Sequence, residues 1–156
     1  MNSDNNVKKI EIEQKPKQPN RRHQSRAYAL QAIFQWHFSE ESIAFLLQEF
    51  ILDHLSEEKN IDLNYFRVLV LGTLKNVVEI DEMMTPLLDR PLSQLNPVEL
   101  SALRLGLYEL KFHPEVPHKV AINEAIELTK EFGAVEGYKF VNAVLNAYFK
   151  ELKPKK

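Results

Sequence analysis

Cysteine is missing from all 156 residues. Its absence excludes disulfides, zinc ribbons and thiol catalysis together, and it fits a reducing compartment. Glycine is scarce, at four residues. No P-loop or dinucleotide fingerprint can be assembled from so few, and Gly72 lies inside a helical pattern. No apolar run approaches the roughly 18 residues that a membrane-crossing helix needs, and no apolar leader opens the chain, which points to a cytoplasmic protein. An excess of one charge is lacking as well. With 20 Lys and Arg against 22 Asp and Glu the formal net charge is −2, so any attraction for nucleic acid has to be local. Sustained apolar alternation of period two is also absent, which leaves the helix as the expected element throughout.

A chain of this length can bury one proper core and is too short for two ordinary domains. Residues 1–20 are polar, contain proline and are poor in apolar side chains, and are expected to form a disordered tail. From Lys15 to Arg26 come five basic residues (Lys15, Lys17, Arg21, Arg22, Arg26) and no acid. The run continues into a helix, because Ala27, Leu30, Ile33, Phe34 and Phe38 share one side of Arg21 to Phe38. The arginines can therefore be aimed, and a guanidinium holds phosphate oxygens two at a time. Ser39 is a candidate cap for a second helix whose stripe is Ile43, Leu46, Leu47, Phe50 and Ile51, lasting to about Leu55. The span from Glu40 to Asp62 holds seven acids and one base, Lys59. That side should repel a nucleic-acid backbone.

Asp62 can cap a third helix carried by Leu63, Phe66, Leu69, Val70, Leu74 and Val77 to about Ile80. Asp81 then begins a shorter apolar piece, interrupted by Pro86, whose Met83, Met84, Leu87 and Leu88 read as core or as a patch for a protein partner. Asn96-Pro97-Val98-Glu99 is a sharply marked helix start, with Asn96 as cap and Glu99 able to reach back to it. Leu100, Leu103, Leu107 and Leu110 form its stripe, and Gly106 predicts a second helix passing close by. Val116 to Phe149 reads as two helices joined at Gly133, the glycine ending the first by a positive φ. Ile122, Ala125, Ile126 and Thr129 mark the buried face of the first. Val141, Val144, Leu145 and Tyr148 mark that of the second. Lys139, Asn142, Asn146 and Lys150 lie along another face, common on solvated helices yet suited to phosphates and base edges.

Chemistry beyond binding has little support. Glu115 and His118 have the Glu-x-x-His spacing of di-iron bundles, but such sites need two pairs. Glu124 and Glu127 share a helix face without a nucleophile or metal set beside them. No cofactor and no metal is expected.

The words VPHKVAINEAIELTKEFG and KFVNAVL, with LNPVELSALRLGLYEL, LNYFRVLVLG and RRHQSRAYALQAIFQW before them, resemble the NusB family of transcription antitermination factors over roughly residues 21 to 149. The resemblance implies an all-α fold, a compact bundle of about seven helices in two sub-bundles, about 21–80 and 81–150, meeting along the helix of Leu103 and Leu107. A short basic tail, 151–156, would follow. It also implies a non-enzymatic factor that binds single-stranded boxA-type RNA of nascent ribosomal RNA transcripts together with NusE, a small-subunit ribosomal protein, and acts on RNA polymerase indirectly. A homodimer is a further possibility under the resemblance, and a membrane partner is not expected. Carried over residue by residue, the RNA surface falls on Arg21, Arg22, Arg26, Lys119, Lys139, Phe140 and Asn142, and the NusE surface on Leu87, Glu99 and Arg104. Two departures stand out. His23 and Gln24 interrupt the arginines, predicting weak RNA affinity without NusE, and Gly137 replaces a common polar residue. The alternatives are the NusB-like module of a ribosomal-RNA methyltransferase system and a protein-interaction scaffold without RNA binding.

Overall fold

The structure is a computed structural model that describes residues 20–152. Residues 1–19 and 153–156, with Lys15, Lys17 and most of the two expected tails, lie outside the described residues. Seven α-helices and no strand occur among the described residues: α1 (Arg21–His37), α2 (Ile43–Phe50), α3 (Leu63–Lys75), α4 (Val77–Met84), α5 (Pro97–Phe112), α6 (His118–Phe132) and α7 (Gly137–Leu152). The expected all-helical fold is therefore found.

α5 is the axis. Every residue from Glu99 to Glu109 is buried, and the helix packs against α1, α3, α4, α6 and α7. Asn96 accepts from the amides of Val98 and Glu99, and Pro97 opens the helix, as its sequence predicts. The reach of Glu99 back to the cap does not form; its carboxylate lies against Gly137. At Gly106 a Cβ would sit 3.0 Å from Leu145 and 3.4 Å from Ala125, so both C-terminal helices press on this point. Gly72 serves α3 in the same way, because any side chain there would occupy the place of the Tyr108 ring.

Four local expectations need correction. Ser42, not Ser39, caps α2 by accepting from Phe45, while Ser39 accepts from Glu41 in the preceding turn. The helix expected to last to Ile80 breaks at Asn76, whose side-chain amide donates to the carbonyl of Gly72 at 2.8 Å. A new helix, α4, then contains Asp81 rather than starting there. Gly133 has φ −101, and the positive φ of this turn belongs to Glu136, at 78°. Met84 is fully buried, and Met83, Leu87 and Leu88 pack against the core while remaining partly exposed.

α2 continues into a π-helical turn, Ile51–Leu55. Leu46, Leu47 and Phe50 are buried at α-helical spacing, but the next α-helical positions inward would be Asp53 and His54. One extra residue in the turn leaves these two exposed and brings Leu55 into the core instead, 6% exposed.

Candidate nucleic-acid interface

The basic start of α1 divides its charge between surface and interior. Arg21 and Arg22 are exposed. Arg22 lies 3.8 Å over the Tyr65 ring and 3.6 Å from Asp62. Arg26, one turn on and expected at the surface, is only 5% exposed. Its Nε donates to both Glu109 oxygens at 2.9 and 3.1 Å, and its Nη2 donates to Glu109 at 3.0 Å. The Tyr65 hydroxyl completes the set by donating to the same carboxylate. Burial works against the Arg26 charge, yet the Glu109 bonds outweigh it and hold the guanidinium protonated. Burial, and then Glu109 itself, raises the Tyr65 pKa, keeping its proton in place as a donor. Arg26 is thus spent on fixing α1 to α5.

The same network reaches α6. His23 Nδ1 lies 2.7 Å from Glu124, and Arg26 Nη1 lies 3.8 Å from it. The loop before α6 comes close to Arg22, whose charge helps hold the exposed Glu115 carboxyl below its usual range after the larger effect of its hydrogen bond to His113. The start of α1 therefore lies against α6 at Glu124, and Lys119 is exposed in the first turn of that helix. Lys119 and Asn142 line one cleft of about 470 Å³ between α6 and α7. Lys139 sits one turn back along the same face of α7. It pairs with Glu136 at 2.6 Å, both side chains 62% exposed, an exposed contact that a phosphate can replace at little cost. Phe140 is half-buried beneath the Arg90 guanidinium, 4.5 Å away. Arg21 and Arg22 open α1 and Lys119 opens α6, whereas Asn142 lies along α7 and Lys139 in its first turn, at the other end of the α6–α7 pair from Lys119. Phe140 flanks the far end, and Arg26 lies beneath the near one.

The residues expected to face a protein partner are more enclosed. Arg104 is 6% exposed, with Nε and Nη2 donating to Asp81 at 2.9 and 2.8 Å. Leu87 is half-buried against the core. Glu99 is 8% exposed, and burial raises its pKa against the opposing charge of Arg90. The Glu99 carboxylate occupies the space a Cβ at Gly137 would need. That contact accounts for the glycine where a polar residue is common.

Sequence reasoning missed an apolar groove of about 550 Å³ at the other end of α1. Leu30, Phe34, Phe38, Val98 and Phe132 line it, with Phe38 64% exposed. The Phe34 and Phe38 rings meet edge to face at 5.2 Å. Their four-residue spacing was the available signal, and it reads equally well as core.

Glu115 and His118 do not converge as ligands. Glu115 takes the bond to His113, and His118 stacks on Phe149. Among the described residues no group of three His, Asp or Glu is placed to hold a metal ion, and no helix is long and apolar enough to cross a membrane.

Comparison with known proteins places this geometry in context. The model described as NusB family matches residues 23–150. The chain is 50% identical over 132 residues to the transcription antitermination protein NusB of Coxiella burnetii (strain RSA 493 / Nine Mile phase I), covering 85% of this chain and 94% of that one. It is 44% identical over 138 residues to the corresponding protein of Marinobacter nauticus, covering 88% and 85%. Among solved structures it superposes with a TM-score of 0.73 on T. maritima NusB, at 31% identity over 87% of this chain and 94% of that one. A crystal structure of antitermination factors NusB and NusE in complex with dsRNA gives a TM-score of 0.74 at 27% identity, covering 83% of this chain and 96% of that one.

Proposed function

The chain belongs to the NusB family, and from that premise we propose that it is a transcription antitermination factor. In this reading it is a cytoplasmic, non-enzymatic protein that binds single-stranded boxA-type RNA of nascent ribosomal RNA transcripts jointly with NusE and reaches RNA polymerase through that assembly. The observation that supports it most is the contact of the basic start of α1 with α6, through His23 and Arg26 at Glu124, on the helix whose Lys119 lines a cleft with Asn142. A flexible strand can place its phosphates on Arg21, Arg22, Lys119 and Lys139, and its bases against Asn142 and Phe140. Arg26 contributes by holding α1 in position. The RNA-binding unit spans residues 21–150, its halves at about 21–80 and 81–150 joined along α5.

NusE is assigned to the surface around Leu87, Glu99 and Arg104. Because those side chains are largely enclosed, its contact area extends from Glu99 across the neighbouring Val98 into the apolar groove of Phe34, Phe38 and Phe132. The deciding experiment is a titration of boxA-type RNA with and without NusE at several salt concentrations. Affinity is expected to be weak alone, to rise with NusE and to fall with salt by a slope that counts the phosphates contacted. A salt-independent affinity, or no RNA binding in either case, overturns the reading.

A further inference from the structure

We infer that the α6–α7 cleft holds one unpaired RNA base, stacked on His118 and read at its edge by Asn142 and Asn146. The inference rests on the RNA-binding reading above and deepens it, giving the base contact at Asn142 a stacking ring and a second edge-reading group.

The stacking surface is built in advance. His118 is exposed, and its imidazole lies parallel to the Phe149 ring, with centroids 3.8 Å apart and planes 16° apart. A ring held this way has lost much of the rotamer freedom that a lone surface histidine would give up on binding. Stacking of a base on an aromatic ring is tolerant of sequence, because every base has a π-face. Ile122 and Ile126 give the cleft an apolar floor, and Lys119 stands at its rim where the sugar-phosphate backbone would pass.

The edge-reading groups are oriented as well. Asn146 Nδ2 donates to the Asn142 backbone carbonyl at 2.9 Å and to its side-chain Oδ1 at 2.5 Å. With its own oxygen committed, Asn142 presents its amide hydrogens as donors, and Asn146 presents its carbonyl oxygen as an acceptor. The two residues lie one turn apart on α7 and line the same cleft. A donor and an acceptor side by side are the complement of a base edge, and neither carries a charge that would bind any phosphate indiscriminately.

The test uses the full chain with NusE and a boxA-type RNA oligonucleotide, intact and with a single abasic nucleotide placed at each position in turn. In the unaltered protein one position should show a loss of about tenfold on base removal, in the range of a stacked base. In His118→Ala and in Asn146→Ala that one penalty should shrink toward unity while penalties elsewhere persist. His118→Phe, which keeps a stacking ring, should retain it. Variants that bind RNA with an unchanged abasic profile would overturn the inference and leave the antitermination reading standing. Loss of all RNA binding by the unaltered protein would remove both.

Discussion

The two ends of α1 are built for opposite neighbours. At its start, Arg22 and Arg26 stand one turn apart, one in solvent over Tyr65 and the other locked to Glu109. At its finish, Phe34 and Phe38 open onto an apolar groove shared with Val98 and Phe132. A polar end needs an interior anchor, because charge left loose at the surface cannot hold a helix in one place. An apolar end needs no such anchor, since packing and surface are made of the same side chains. Under the proposed reading, the difference lets one helix position an RNA contact and a protein contact without either interfering with the other.

The sharpest way to break this contrast is to remove the anchor. Arg26→Ala leaves the Glu109 carboxylate buried without its cation, held only by the Tyr65 hydroxyl, and should cost about 3–5 kcal/mol in urea unfolding. Replacing both partners, Arg26→Met with Glu109→Leu, should recover most of that loss, because apolar packing then fills the site. A loss below about 1 kcal/mol in the single variant would show that Arg26 is not the anchor. At the other end, Phe38→Ser should leave stability within about 0.5 kcal/mol, as for an exposed position. It should weaken NusE binding by about tenfold, as measured by calorimetry, if the groove forms part of the contact. Unchanged NusE affinity would remove the groove from the interface.

Arg22→Ala sharpens the comparison within the polar end. Its effect on stability should stay below about 1 kcal/mol, the worth of an exposed cation–π contact. The slope of log affinity for RNA against log salt should become shallower by about 0.7, one phosphate on a single strand. Equal slopes in the two proteins would place Arg22 off the RNA path. The smallest effect concerns Glu99, beside the groove. Burial raises its folded pKa above the ordinary value, so the folded state binds the proton more tightly than the unfolded chain. Stability then falls as pH rises through the window from the ordinary carboxylate value to the raised one. Glu99→Gln should flatten that stretch of the profile, and an unchanged profile would discard the assignment.

The helix starts at Asp62 and Asn96 were legible because capping is a local matter. Asp62 accepts from Tyr65 and Asn96 from Val98, each within three residues of the cap. The close approach at Gly106 was legible for a related reason: a glycine in the middle of a strong helix has a cost that only packing explains. The fate of Arg26 was not legible. Arg22 and Arg26 share a helix face, and nothing local says which one meets Glu109, 83 residues away in the chain. The break at Asn76 escaped because the apolar pattern runs on through it, and the choice of Ser42 over Ser39 turns on backbone geometry three residues apart. The exposure of Phe38 was not legible, because periodicity reports a face and not its depth.

The enclosure of α5 has a consequence for solution measurements. Since this helix touches both halves of the protein, the opening of its backbone amides requires the whole bundle to come apart. RNA at one end and NusE at the other should therefore slow hydrogen exchange in α5 by additive amounts. Protection of Phe34 and Phe38, or of Asn142 and Asn146, would separately identify which ligand is bound.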